Sequence, residues 1–176
     1  EKKTQIKLNN SSLIYEYFKD KLKNEKQENF YAIYLDSKSN LISYKLLFKG
    51  TLNSSCVHPR EIFKYAHLES AYSIIVIHNH PSGDPTPSKE DEKTTKSLIE
   101  IGKLMSIPVV DHIIFGKNKY FSFYEYLKNV EERIKEELKD QIEKFKSSNK
   151  YLEAERIKSR TEYDIEMLED LIMSAF

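Results

Sequence analysis

The run YSIIVIHNH, Tyr72 to His80, constrains the fold of this chain more than any other segment. Its β-branched apolar residues read as a central strand. It ends in two histidines and a loop punctuated by proline and glycine, PSGDPTP. FYAIYLD, Phe30 to Asp36, reads as a second buried strand, SKSN as a turn, and LISYKLLFKG as the strand that follows it. IPVVDHIIFG and KYFSF read as two more. Helical patterns alternate with these strands. Leu13, Ile14, Tyr17, Phe18 and Leu22 recur at helical spacing behind Asn10 and Ser11 as caps. HPREIFKYAHL starts with Pro59 near its first turn. SKEDEKTTKSLIEIGKLM carries Leu98, Ile101 and Leu104 at helical spacing, with Gly102 near its end. The alternation predicts an α/β fold, a mixed β-sheet flanked by helices.

After Tyr126 the sequence changes character. Val130, Ile134, Leu138, Ile142 and Phe145 form a thin apolar stripe in a charged helix. Ser147 to Asn149 break it, and a second helix follows with Leu152, Ile157, Ile165, Leu168 and Ile172. The expected organisation is a domain over residues 1–126 and a charged helical hairpin arm over residues 127–176.

Charge is balanced at 28 basic and 28 acidic residues. Residues 1–126 hold 18 basic and 15 acidic residues, a net +3 too small to support phosphate or nucleic-acid binding. The single cysteine, Cys56, excludes an internal disulfide framework and reads as a small buried apolar residue. No apolar run approaches the roughly 20 residues needed to span a bilayer. A cytoplasmic protein with no membrane partner is the expectation.

The chemistry lies in HNHPSGDPTPSKED, His78 to Asp91. Side chains two apart on a strand share a face, so His78 and His80 project together at the strand's end. Two imidazoles so placed suit one metal ion with bonds of roughly 2.0–2.1 Å, and a catalytic zinc wants a third protein ligand. Asp91, returned by the loop into the first turn of the next helix, supplies one. SKED is equally a capping box, in which Ser88 caps the helix and Asp91 returns the bond. The two readings are compatible, since a cap can orient a ligand.

The pattern H-x-H-P, six residues, Ser, two residues, Asp resembles the metal signature of JAMM (JAB/MPN+) domains in every element. With DHIIFG downstream it resembles the RadC branch in particular, over about Gln27 to Phe123 and through GTLNSSCVHPREIFKYA and YFSF. The resemblance implies a JAB/MPN fold of cytidine-deaminase-like architecture. It further implies His78, His80 and Asp91 as zinc ligands and Ser88 as a hydroxyl that stabilises an oxyanion. A zinc hydrolase also needs a base for the metal-activated water. The resemblance puts this glutamate at the start of the first strand, where Glu28 stands just before NFYAIYL. Glu61, in PREIF, is the competitor, although the helix dipole explains an acidic residue in a first turn. His112 and Asp111 in VVDHIIFG belong to the RadC pattern. His112 reads either as a partner of a ligand histidine or as a satisfied strand histidine. His58 and His67 have no partner spacing, and Asp84 is explained by turn chemistry.

The implied activity is zinc-dependent hydrolysis of an amide or isopeptide bond in a peptide or isopeptide-linked substrate. The alternative is a DNA-repair-associated accessory protein whose metal site is structural. KFKSSNKYLEAERIKSRTEYDIEMLEDL resembles a helical segment of the helicase-like component of the bacterial DNA-repair excinuclease, which makes the arm a candidate for docking a protein partner. No G-x-x-x-x-G-K-[ST] accompanies it, so ATPase activity does not follow.

Overall fold

A computed structural model describes residues 5–50 and 57–173 of the chain, the side chains of 171–173 excepted. Cys56 and the rest of TLNSSC therefore lie outside the described residues. The elements run α1 (Ser11–Leu22), β1 (Glu28–Leu35), β2 (Leu41–Gly50), α2 (Pro59–Leu68), β3 (Ser73–Asn79), α3 (Lys89–Met105), β4 (Val109–Phe115), β5 (Tyr120–Ser122), α4 (Phe123–Ser147) and α5 (Tyr151–Met173). By internal contacts the described residues fall into two units, one up to residue 123 and one over residues 124–173.

In the first unit the five strands form one mixed sheet in the order β2-β1-β3-β4-β5. β3 pairs antiparallel with β1 and parallel with β4, so the β-branched run sits at its centre. A parallel neighbour needs a crossover, which α3 supplies between β3 and β4. All seven residues of β3 are buried, as expected for a strand covered on both faces.

The pleat then sorts the side chains. Phe30, Ala32 and Tyr34 of β1 and Ile74 and Val76 of β3 join Ile62, Phe63 and Ala66 of α2 and Leu98 of α3 in one core. Tyr31, Ile33 and Leu35 join Ile75, Ile77, Ile113 and Phe115 against Ile14, Phe18 and Leu22 of α1 in the other. The Asn10 side chain caps α1 by accepting from Leu13 N at 2.9 Å. Ser11 Oγ and Ser122 Oγ both donate to the buried Asp111 carboxylate, at 3.0 and 2.7 Å, tying α1 to β4 and β5.

Several boundaries differ from the expectation. β1 begins at Glu28, two residues early, and β3 stops at Asn79, leaving His80 at the head of the loop. Phe123 opens α4 rather than closing β5, because FYEYL carries its aromatics at helical as well as strand spacing. Leu104 is 85% exposed, since the buried face of α3 runs through Asp91, Thr94, Thr95, Leu98 and Gly102. Gly102 lies inside that helix, where a Cβ would meet Ile107 O at 2.8 Å, and Ser106 takes the left-handed C-cap.

The second unit is helical. α4 keeps its stripe Val130, Ile134, Leu138, Ile142 and Phe145 half-buried. On α5 the inward positions are Ala154, Ile157, Thr161, Ile165 and Leu168, a regular three-four spacing that leaves Leu152 outside and exposed. Lys135 joins the helices by pairing with Glu131 and, at 2.6 Å, with Glu169. No helix among the described residues is long and apolar enough to cross a membrane.

Candidate metal centre

The centre forms where β3 runs out. His78 is the last residue of β3 on the α2–α3 face, fully buried and stacked on Phe30 at 6.0 Å between ring centroids. His80 follows two residues later, with only 14% of its side chain exposed. The loop from Pro81 to Pro87 then turns the chain back. His80 N donates to Phe115 O and Gly83 N to His80 O, each at 2.9 Å, and Lys117 N donates to Gly83 O at 2.8 Å. Asp84 plays the turn role expected of it, its carboxylate accepting from Thr86 N at 3.1 Å and Thr86 Oγ1 at 2.8 Å.

The loop lies directly on Gly116, where an added Cβ would stand 2.6 Å from both Gly83 O and Pro85 Cδ. That explains why DHIIF is followed by glycine. Gly116→Ala should lift the loop between the ligands and weaken metal affinity about tenfold or more, in line with other losses of support around a metal site. Competition against a chromophoric chelator measures this. Wild-type affinity would mean that the loop yields without moving His80.

At the loop's far end Ser88 is the N-cap of α3, and the capping box is complete. Ser88 Oγ accepts from Asp91 N at 3.2 Å, while Asp91 Oδ2 accepts from Ser88 N and Ser88 Oγ, both at 2.7 Å. Both carboxylate oxygens also face the imidazoles. Asp91 Oδ1 lies 3.2 Å from His78 Nε2, Asp91 Oδ2 lies 3.4 Å from His80 Nε2, and the two Nε2 atoms are 3.0 Å apart. A tetrahedral ion with bonds of about 2.0–2.1 Å sets its ligand atoms roughly 3.3 Å apart. The group therefore has the dimensions of three corners of such a site. His78, His80 and Asp91 form a group that could hold a metal ion, all three ligand atoms lying within 4.8 Å of one another.

The donor chemistry agrees. His80 Nδ1 lies 2.8 Å from Asp84 O, an acceptor only, so Nδ1 carries the proton of the neutral ring and Nε2 is left with its lone pair toward the carboxylate. Burial opposes a charge on His80, but its bonds to Asp91 and the Asp84 carbonyl, with the charges of Asp91 and Glu28, raise its pKa. Burial dominates at His78 and lowers its pKa despite Asp91. Asp91 is also buried, yet its contacts with both imidazoles and Ser88 hold its carboxyl well below the usual range. The result is a buried ionised carboxylate whose oxygens face two imidazole nitrogens, a donor set that suits a cation.

Glu28 occupies the adjoining strand. Phe30 pairs with His78 across β1 and β3, and two residues earlier Glu28 lies on the same face at the level of His80. Its charge is felt at both His78 and His80. Glu61 instead forms ion pairs with Arg60 and Lys64, each at 3.8 Å, in the first turn of α2. His58 and His67 are exposed and outside the group. His112 is buried, with Nε2 2.8 Å from His78 Nδ1.

Two residues escaped the sequence reading. Asn79 stands between the histidines with its side chain on the opposite face. Its Oδ1 accepts from Asn29 N at 2.8 Å and its Nδ2 donates to Gln27 O at 3.0 Å, which fastens both neighbours of Glu28. Thr95 lies one helical turn after Asp91, with Oγ1 2.6 Å from His112 Nδ1. Its only signal is the i, i+4 spacing, which an ordinary buried threonine shares. A cleft of about 830 Å³ opens beside His80, lined among others by Tyr15, Lys19, Lys23, Asn79 and Lys117.

Among known proteins, the family model of the RadC-like JAB domain matches residues 8–130, and that of the UvrB third helical domain matches residues 125–174. A UPF0758 protein of Protochlamydia amoebophila is 48% identical over 121 residues, covering 69% of this chain and 52% of the relative. One from Clostridium perfringens is 50% identical over 122 residues, covering 69% and 54%. One from Methanosarcina mazei is 45% identical over 116 residues, covering 66% and 51%. The chain thus spans about half the length of these relatives.

Proposed function

We propose that this chain, which belongs to the RadC-like JAB domain family, is a zinc-dependent hydrolase of amide or isopeptide bonds. One observation carries the reading: His78, His80 and Asp91 converge as a metal-sized set beside a glutamate on the neighbouring strand. His78, His80 and Asp91 would hold the zinc. When bound, zinc supplies an acidified water and polarises the substrate carbonyl.

The remaining work falls to the chain. Glu28 accepts the proton of the attacking water and passes it to the departing amine, as general base and then general acid. Its position on β1, level with His80, supports that role. Ser88 donates to the oxyanion that develops on the substrate carbonyl. Its hydroxyl bonds Asp91 Oδ2 in this structure, so that role requires the hydroxyl to rotate away from its cap. The Ser88 N–H bond to the same oxygen, at 2.7 Å, would then keep Asp91 in place. The cleft beside His80 gives a peptide or isopeptide-linked substrate a path to the site.

The test is hydrolysis of a panel of linear peptides and lysine ε-amide conjugates by chelator-treated protein, with and without added zinc. Zinc-restored cleavage is expected. A protein that binds one zinc and cleaves none of the panel would leave the site structural. A second reading attaches to residues 125–174 through their match to the UvrB third helical domain: the arm docks a protein partner. That accessory role predicts capture of the partner by residues 124–176 alone.

A further inference from the structure

We infer that His112 and Thr95 are positioning residues that fix the ring tautomer of His78 and so aim its Nε2 lone pair at the metal. The inference rests on the metal-centre reading above and follows from counting protons along one chain of buried contacts.

Thr95 Oγ1 lies 2.6 Å from the backbone carbonyl of Asp91. A carbonyl only accepts, so the single hydroxyl proton of Thr95 is spent there. Toward His112 Nδ1, also at 2.6 Å, Thr95 Oγ1 can then only accept, and His112 Nδ1 must carry a proton. His112 is 1% exposed, with His78 rather than a carboxylate on its other nitrogen, so the ring is neutral. Its Nε2 therefore presents a lone pair to His78 Nδ1, 2.8 Å away. Only the Nδ1–H form of His78 satisfies that contact. The Nε2–H form would oppose two lone pairs at that contact. The Nδ1–H form instead turns the Nε2 lone pair toward Asp91 Oδ1 at 3.2 Å and His80 Nε2 at 3.0 Å, where a cation would satisfy all three.

The chain of contacts begins on the backbone of one ligand, Asp91, and ends on the ring of another, His78. Thr95 makes both of its bonds because it stands four residues after Asp91 on the same face of α3. Phe123 stacks on His112 at 5.3 Å between centroids and Phe30 on His78, which hold the two rings in place. Ligand histidines are usually oriented by a carboxylate or a carbonyl. A neutral imidazole does the same while adding no charge, so Asp91 remains the one anionic ligand of the set.

The experiment measures zinc affinity by competition with a chromophoric chelator in wild type, His112→Leu, His112→Gln and Thr95→Val. Nitrogen-15 NMR of the histidine rings reads the tautomers in metal-free protein, and thermal unfolding of the metal-free forms reports folding. His112→Leu and Thr95→Val should bind zinc about 10–100-fold more weakly and lose the single Nδ1–H tautomer of His78. His112→Gln, which restores an acceptor, should recover most of the affinity. Affinities within twofold of wild type, or a folded glutamine variant as weak as the leucine one, would overturn the inference. A wild-type chain that binds no zinc would instead defeat the metal-centre reading, and the His78 tautomer in metal-free protein would still judge the relay.

Discussion

Asp91→Ala should purify without stoichiometric zinc and unfold at a lower temperature than wild type even in the presence of chelator. Both losses come from one carboxylate. Asp91 Oδ1 faces His78 Nε2, while Asp91 Oδ2 accepts from Ser88 N and Oγ to close the capping box of α3. Removing a third ligand leaves two imidazoles, which do not hold zinc at working concentrations when three protein ligands are the norm. Ser88 Oγ still caps the residue-91 N–H, but the Ser88 N–H loses its acceptor, a loss of about 1 kcal/mol on its own. His78→Ala separates the two effects, since it deletes a ligand but leaves the Ser88–Asp91 bonds intact. It should lose the metal and keep an ordered first turn of α3. Metal analysis of both proteins and amide exchange in residues 89–92 provide the readouts. Zinc retained at one per chain in either variant would remove these residues from the ligand set.

Glu28→Gln should bind zinc as wild type does and lose about 10²–10⁴ in turnover, the usual contribution of a positioned acid–base group. Glutamine has the shape of glutamate and cannot accept the proton of the attacking water. The candidate ligands lie on β3, its loop and α3, so the change removes none of them, although it withdraws the Glu28 charge that both imidazoles feel. The strand position of Glu28 is also secure, because Asn79 bonds the main chain on either side of it. The comparison is made on whichever amide the zinc-restored protein cleaves. Turnover within tenfold of wild type would return the base to Glu61 or to another group.

Much of the architecture was written in residue patterns. The β-branched run and the capped helices each declare their own period and appear in the structure within a few residues of their expected bounds, and helices fill the C-terminal segment. Boundaries failed where one stretch satisfies two periods, as at Phe123, or where a helix's buried face is chosen by its neighbours. Leu104 and Leu152 both belong to apolar spacings, yet packing selected Gly102 and Ala154 for the inward positions. The His-x-His and the cap of α3 were equally legible, because strand alternation and a Ser-x-x-Asp box are local rules. What lay hidden was everything that depends on register between strands. Asn79 reaches Glu28's neighbours only because β1 runs antiparallel to β3 with Phe30 opposite His78. His112 reaches His78 only because β4 lies beside β3 after an α3 crossover. No sequence period encodes either pairing.

That dependence gives the centre a place in the order of folding. The three ligand residues fall within one short span, His78 to Asp91, and a newly made chain holds all of them early. Their supports do not: Glu28 precedes them by fifty residues, and His112 and Gly116 follow on the far side of α3. Parallel pairing of β3 with β4 closes a long segment of chain and is intrinsically slow. The proposed ligands would therefore be available before His112 and Gly116, and tight metal capture would wait on β4. On that reading a nascent chain that stops short of Phe115 would carry the signature without the centre, and metal uptake would report closure of the sheet.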